Sequence, residues 1–215
     1  MLKQIVLAFL ALAFSATANL TNRSSANVVQ VQGNDASSFF EKGQAYLKSD
    51  QYQEAIEAFE QAVRIKPDYA EAFYNLGEAY YMSGKYPKAI DSYKQAIKIR
   101  PDYISPYDGM GRVYMLWGKD DEAVKTYKQA LTIKPDDEGA LNNLGLTYQH
   151  MKKYKESVEA FRSAIRVNPK NPISHYNLGM TYIKSGDRSA ASDEYKALLA
   201  IDADWAAKLQ EALNK

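Results

Sequence analysis

Apolar positions recur along the chain with the spacing of one helix face. Phe73, Leu76, Gly77 and Tyr80 fall at i, i+3, i+4 and i+7, and Ala89, Tyr93, Ala96 and Ile97 make a second stripe after a polar interruption. Ser83-Gly84-Lys85 supplies the turn between two antiparallel helices. Pro101 closes the unit, because proline cannot continue a helix and restrains the residue before it. The pattern then returns every 34 residues: PDYAEAFYNLGEAYYMSGKY from Pro67, PDYISPYDGMGRVYMLWGKD from Pro101, PDDEGALNNLGLTYQHMKKY from Pro135 and PKNPISHYNLGMTYIKSGDR from Pro169. A fixed period of this size marks a helical hairpin stacked on itself rather than one globular core. Asp68 and Asp102 are placed to cap the following helices, and Asn171-Pro172 is a favoured pairing of N-cap with first helical position.

Small residues suggest how the hairpins close. Gly77, Gly111, Gly145 and Gly179 recur at one phase and are expected to face Ala89, Ala123, Ser157 and Ala191 at another. Tyr80, Tyr114, Tyr148 and Tyr182 supply bulk beside that contact, while Ala96, Ala130 and Ala164 leave room for the next hairpin. With these residues the chain resembles the tetratricopeptide repeat family, whose helix-turn-helix carries Leu-Gly, Tyr, Ala, aromatic, Ala and Pro at these spacings. Gly43, Tyr46, Ala55, Phe59 and Ala62 extend the match to an earlier copy. The resemblance implies an all-α, right-handed superhelical solenoid of five repeats, at 36–69, 70–103, 104–137, 138–171 and 172–205. The last is atypical, with Leu198 in place of Ala and Ala203 in place of Pro, as terminal repeats are. A C-terminal capping helix is expected over 206–215, started by Asp204, with Trp205, Leu209 and Leu213 spaced by four to cover the end of the stack.

Composition narrows the function. Lys and Arg number 27 against 26 Asp and Glu, with no long run of one sign, which argues against nucleic acid as a partner. Cysteine is absent, so disulfides, thiol nucleophiles and thiolate zinc sites are excluded. The start of the chain adds a destination: a basic MLK, an apolar run over 5–14 and the small-x-small pair Ala16 and Ala18 have the grammar of a cleaved signal peptide over 1–18. The apolar run is about half the roughly 20 residues a spanning helix needs. Residues 19–35 read as a flexible polar leader, in which Asn19 and Asn22 head glycosylation sequons.

Convergent chemistry is scarce. His175 occupies the apolar phase of Phe73, Tyr107 and Leu141 and reads as a packed histidine, and His150 has no second ligand at metal spacing. Asp120-Asp121-Glu122 and Asp136-Asp137-Glu138 sit where helices begin, offsetting the helix dipole. No enzyme, no cofactor, no metal and no small-molecule substrate are expected. In the resembling family a second stripe of each first helix lines a concave groove. Here that stripe holds Phe40 and Gln44; Tyr74, Glu78, Tyr81 and Met82; Asp108, Arg112 and Met115; Asn142 and Leu146; and Tyr176 and Met180. Beside it Asn75, Asn143 and Asn177 form a column interrupted by Gly109, which is expected to widen the groove at its centre. Aromatic residues are favoured hot spots, and an amide offers a donor and an acceptor to an extended peptide. Lys and Arg are missing at the phases Phe40, Tyr74, Asn75, Ser105 and Gly109, which argues against the clamp that holds acidic chaperone tails in other members. The expected protein is thus a periplasmic or secreted scaffold that holds a partner's peptide or helix. Assembly or tethering of a bacterial envelope complex is the role the resemblance implies. Self-association through the C-terminal helix, or service as an accessory subunit of an envelope enzyme, is the alternative.

Overall fold

A computed structural model describes residues 35–214. The proposed signal peptide, its cleavage site, the sequons and all but the last residue of the leader lie outside the described residues. Within the described residues eleven helices follow one another: α1 (Ala36–Lys48), α2 (Tyr52–Ile65), α3 (Ala70–Met82), α4 (Tyr86–Ile99), α5 (Ile104–Leu116), α6 (Asp120–Ile133), α7 (Glu138–His150), α8 (Tyr154–Val167), α9 (Pro172–Ser185), α10 (Arg188–Leu199) and α11 (Ala203–Leu213). The same residues contain no strand. Each odd helix pairs with the even helix after it, and each even helix packs on the next odd one. Odd helices also touch across repeats, α1 on α3, α3 on α5, α5 on α7 and α7 on α9, whereas these even helices never touch one another. The odd helices therefore form the inner layer of an all-helical solenoid and the even helices its outer layer.

The small-residue positions explain the hairpin closure, with one refinement. An added Cβ would lie 2.6 Å from the ring of Phe59 at Gly43, 2.6 Å from Tyr93 at Gly77 and 2.7 Å from Phe161 at Gly145, and at Gly111 it would run into the Tyr127 ring. Each glycine is thus a socket for a fully buried ring of the even helix, and not simply a partner for the small residue opposite. Ser157 keeps a small-to-small contact as well, donating from Oγ to the Gly145 carbonyl at 2.9 Å. In the fifth repeat the socket at Gly179 is filled by Leu209 of α11, and Tyr195, at the ring's phase, is left half-buried.

Two expectations about helix starts need correction. Asp68 and Asp102 do not cap: the N-cap positions of α3 and α5 fall to Tyr69 and Tyr103, without a side-chain cap. The rings are held there by packing, Tyr69 against Phe40 and Tyr103 against Tyr74. Where the same phase carries a short polar residue, a cap forms: Asp137 accepts from the Ala140 amide, and Asn171, followed by Pro172, accepts from that of Ile173. The last helix begins at Ala203 rather than 206, and Asp202 rather than Asp204 caps it, accepting from the amides of Asp204 and Trp205. Ala203 stands at the phase of Pro67, Pro101, Pro135 and Pro169 and, unlike them, can join a helix directly after the turn.

Both ends of the stack are finished. The face that α3, α5, α7 and α9 bury with Leu76, Met110, Leu144 and Leu178 carries exposed Lys42 in α1. At the other end α11 packs on α9 and α10, with Leu209 and Ala206 inward and Asp204, Ala207 and Lys208 outward.

Candidate functional site: the inner face of the odd helices

The sixteen residues expected to line a groove all lie on the odd helices, and all are half-buried except Met82, which is 48% exposed. Half-burial follows from their position between the core stripe and solvent. Phe40, Tyr74 and Tyr81 press on the first core cluster, Leu146 on the cluster around Phe161, and Tyr176 and Met180 on that around Leu198 and Leu209.

Ring pairs recur at a single phase. Phe40 meets Tyr69 with centroids 4.9 Å apart, Tyr74 meets Tyr103 at 5.5 Å, and Tyr176 meets Trp205 at 5.0 Å. Burial, with Glu78 adding, pushes the Tyr74 hydroxyl up to about 12, so it stays a neutral donor. Tyr69, Tyr103 and Trp205 were not among the expected groove residues. They precede or open the odd helices, but their 34-residue phase could have found them.

At the third and fourth repeats the ring pair is replaced by polar groups, Asp108 and Asp137, then Asn142 and Asn171. A connected network runs through this centre. The Tyr93 hydroxyl donates to Glu78, and Arg112 donates to both Glu78 oxygens at 3.0 and 3.2 Å. Arg112 Nε lies 3.4 Å from Asp108 Oδ2, and Asn143 donates to Asp108 Oδ1 at 2.5 Å. Five side chains from α3, α4, α5 and α7 thereby join three repeats. Burial raises the Asp108 carboxyl, with Glu78 and Asp137 adding to it, against Arg112 and Asn143. Burial opposes charge on Arg112, but Glu78 and Asp108 outweigh it and the guanidinium stays protonated. The guanidinium also lies 5.3 Å from the Tyr81 ring centre.

The amide column is partly engaged. Asn75 donates to the Glu71 carbonyl at 2.8 Å, Asn143 to Asp108, and neighbouring Asn142 to the Glu138 carbonyl while accepting from Ser174. The Asn177 side chain has no partner among the described residues. Gly109 does not widen the groove: an added Cβ would lie 2.6 Å from the Tyr93 ring, which thus lodges between Gly77 of its own repeat and Gly109 of the next. Its hydroxyl reaches the inner face from the outer layer.

The two histidines stand in different surroundings. His175 is buried, with Nδ1 2.7 Å from Glu194 and Nε2 3.0 Å from the Pro169 carbonyl, the counterpart of the Tyr107 hydroxyl donating to the Pro101 carbonyl at 3.1 Å. His150 is exposed, 2.8 Å from Asp120. Among the described residues no three acidic or histidine side chains gather where they could hold a metal ion, and no helix is long and apolar enough to cross a membrane.

Tetratricopeptide repeat models match residues 40–104, 139–171 and 160–191, and a TPR repeat model matches 111–152. No enzyme family is indicated. No curated protein matches the chain. Among solved structures, MamA from Desulfovibrio magneticus RS-1 is similar at 21% identity and a TM-score of 0.70, over 79% of this chain and 96% of that one. YrrB, a TPR protein with an unusual peptide-binding site, is similar at 18% identity and 0.65, over 84% and 94%. A thermophilic TPR protein of Thermus thermophilus is similar at 21% and 0.63, over 84% and 100%. At these identities the likeness is one of fold. Together with the 34-residue phase and the layered hairpins, the matches make the chain an array of tetratricopeptide repeats.

Proposed function

We propose that the chain is a non-enzymatic scaffold whose inner face holds a peptide or helix of a partner protein. One observation carries this reading: ring pairs, methionines and amides form a stripe along consecutive odd helices, half-exposed where a core would bury them. Such surfaces are typical partner sites, with Tyr and Trp as anchors. YrrB, alike in fold, is described as having a peptide-binding site. Self-association through the C-terminal helix has less support, because α11 turns Trp205, Leu209 and Leu213 toward the stack.

The test uses peptides selected from a random display library on the full chain, followed by titration of the purified peptides. Tyr74→Ala removes a ring that touches two others, and Asn177→Ala removes an amide with no partner among the described residues. Both are expected to weaken binding, the tyrosine about tenfold or more, while the outer-face variant Lys155→Ala binds as before. Unchanged affinity in both inner-face variants would reject the groove.

Export is part of the proposal and rests on the sequence of residues 1–18 alone. An envelope complex is the setting this favours. When the full gene is expressed in a bacterial host, intact mass should place the mature start at Asn19. A chain that keeps residues 1–18 and stays in the cytoplasm would remove this part and leave the scaffold reading in place.

A further inference from the structure

The centre of the inner face carries a charge imbalance. Glu78 and Asp108 share one guanidinium, that of Arg112, so two carboxylates are set against a single cation. The neighbouring acids have partners of their own: Glu71 pairs with Arg100, and Asp137 with Lys134 at 3.1 Å. Among the described residues no further cation stands on the inner stripe at this level, since Lys48 and Lys184 belong to the first and last repeats. Lys184, moreover, donates to Gln149 at 2.6 Å.

The imbalance is not demanded by the fold. At the phase of Asp108 the other repeats carry Phe40, Tyr74, Asn142 and Tyr176, all of them neutral. The Arg112 pairing with Glu78 already joins α3 to α5, so Asp108 adds a second, half-buried acid to a guanidinium that is already neutralised. Its bond to Arg112 is incomplete as well: Nε lies 3.4 Å from Oδ2, and this buried nitrogen makes no hydrogen bond among the described residues. A half-buried charge without a full partner is unfavourable in the free protein, and a cation brought by a guest recovers that cost. Asp108 is accessible to such a cation, with its side chain 36% exposed. Oδ1 is taken by Asn143, which leaves Oδ2 facing only the unbonded Nε.

We propose that the groove selects a guest segment carrying a lysine or arginine side chain at its centre, with apolar residues on either side for the ring pairs Tyr74–Tyr103 and Tyr176–Trp205. The guest cation donates to Asp108 Oδ2 and lies beside Glu78, converting the shared-cation arrangement into two balanced pairs. This rests on the reading of the inner face as a peptide groove, and the experiment keeps the two apart.

The probe is a random peptide display library panned on the full chain and on Asp108→Asn, a near-isosteric change that keeps a partner for Asn143; far-UV circular dichroism verifies the fold of each. Peptides selected by the unaltered chain are expected to be enriched in Lys or Arg at one central position. Asp108→Asn should lose that enrichment and bind the selected peptides about tenfold more weakly, the size of one charge-assisted hydrogen bond. A glutamate placed at the basic position should abolish binding to the unaltered chain. Selected peptides that bind through the inner face with no basic preference, or with one that Asp108→Asn leaves intact, would overturn the charge assignment alone. A library that yields no binder would overturn the groove and the assignment together.

Discussion

Lys152 sits in the left-handed region, with φ of +58°, in the turn between α7 and α8. The same phase holds Asp50 at φ +57° and Gly84, Gly118 and Gly186 at +73°, +71° and +88°, so every hairpin makes this turn with the same residue reversed. For a residue with a β-carbon the conformation costs about 1–2 kcal/mol, and among the described residues the exposed Lys152 side chain makes no hydrogen bond or ion pair that offsets it. Lys152→Gly should therefore raise unfolding free energy by about 1 kcal/mol, less the entropy glycine adds to the unfolded chain. Asp50→Gly should gain less, because aspartate tolerates this region and the Asp50 carboxylate accepts from the Tyr52 hydroxyl at 2.7 Å. Urea unfolding of both variants measures the difference. A Lys152→Gly chain no more stable than the original would mean that the turn is not strained.

At the scale of the helix, sequence periodicity exposed the hairpins because each stripe is a local property of one helix. The inner stripe is a second face of the same helices, and its reading as a groove comes from the resemblance to the tetratricopeptide repeat family. What periodicity could not rank was competition for a single position. Asp68 and Asp102 have good capping chemistry, yet Tyr69 and Tyr103 take the N-cap phase because their rings pack on Phe40 and Tyr74 in the preceding odd helices. Gly109 differs from its sequence expectation for a related reason. Read along α5 it is a gap in a row of amides, but Tyr93 reaches it from α4 and fills the space. Contacts between repeats therefore decide the details that a single helix leaves open. The network from Tyr93 through Glu78, Arg112 and Asp108 to Asn143 is the largest case: Asp108 and Arg112 are one turn apart on α5 and Glu78 and Arg112 share the 34-residue phase, but no spacing brings Tyr93 of α4 and Asn143 of α7 to them. Tyr69 and Tyr103 are legible only by phase, since they precede their odd helices, whereas Trp205 belongs to the four-spaced stripe of α11 and only its phase connects it with the ring pairs.

For the whole array, stability depends on what closes its ends, because each repeat touches only its neighbours. The first repeat closes its own end: Ser38, Lys42 and Ala45 stand where α3 buries Ala72, Leu76 and Ala79. The last repeat cannot do so. Its socket at Gly179 accepts Leu209, Leu198 is fully buried beneath α11, and Tyr176 leans on Trp205. With Lys42 in the middle of one outer face and Asp204 and Lys208 on the other, charge interrupts both ends of the stack, and the chain from Asn19 should be monomeric, with one mass across a wide concentration range in light scattering. A chain ending at Asp202 loses Leu209 from a fully buried site, which at the scale of a large-to-small core change costs about 2–5 kcal/mol. It also bares Leu198 and the apolar stripe of α9. Such a surface fits the first odd helix of another copy poorly, because Lys42 would meet it, so association should be unspecific and rise with concentration. The shortened chain should melt at lower temperature and scatter as a mixture of masses. A shortened chain that remains monomeric with an unchanged melting temperature would show that α11 is an appendage and that the fifth hairpin closes the stack unaided.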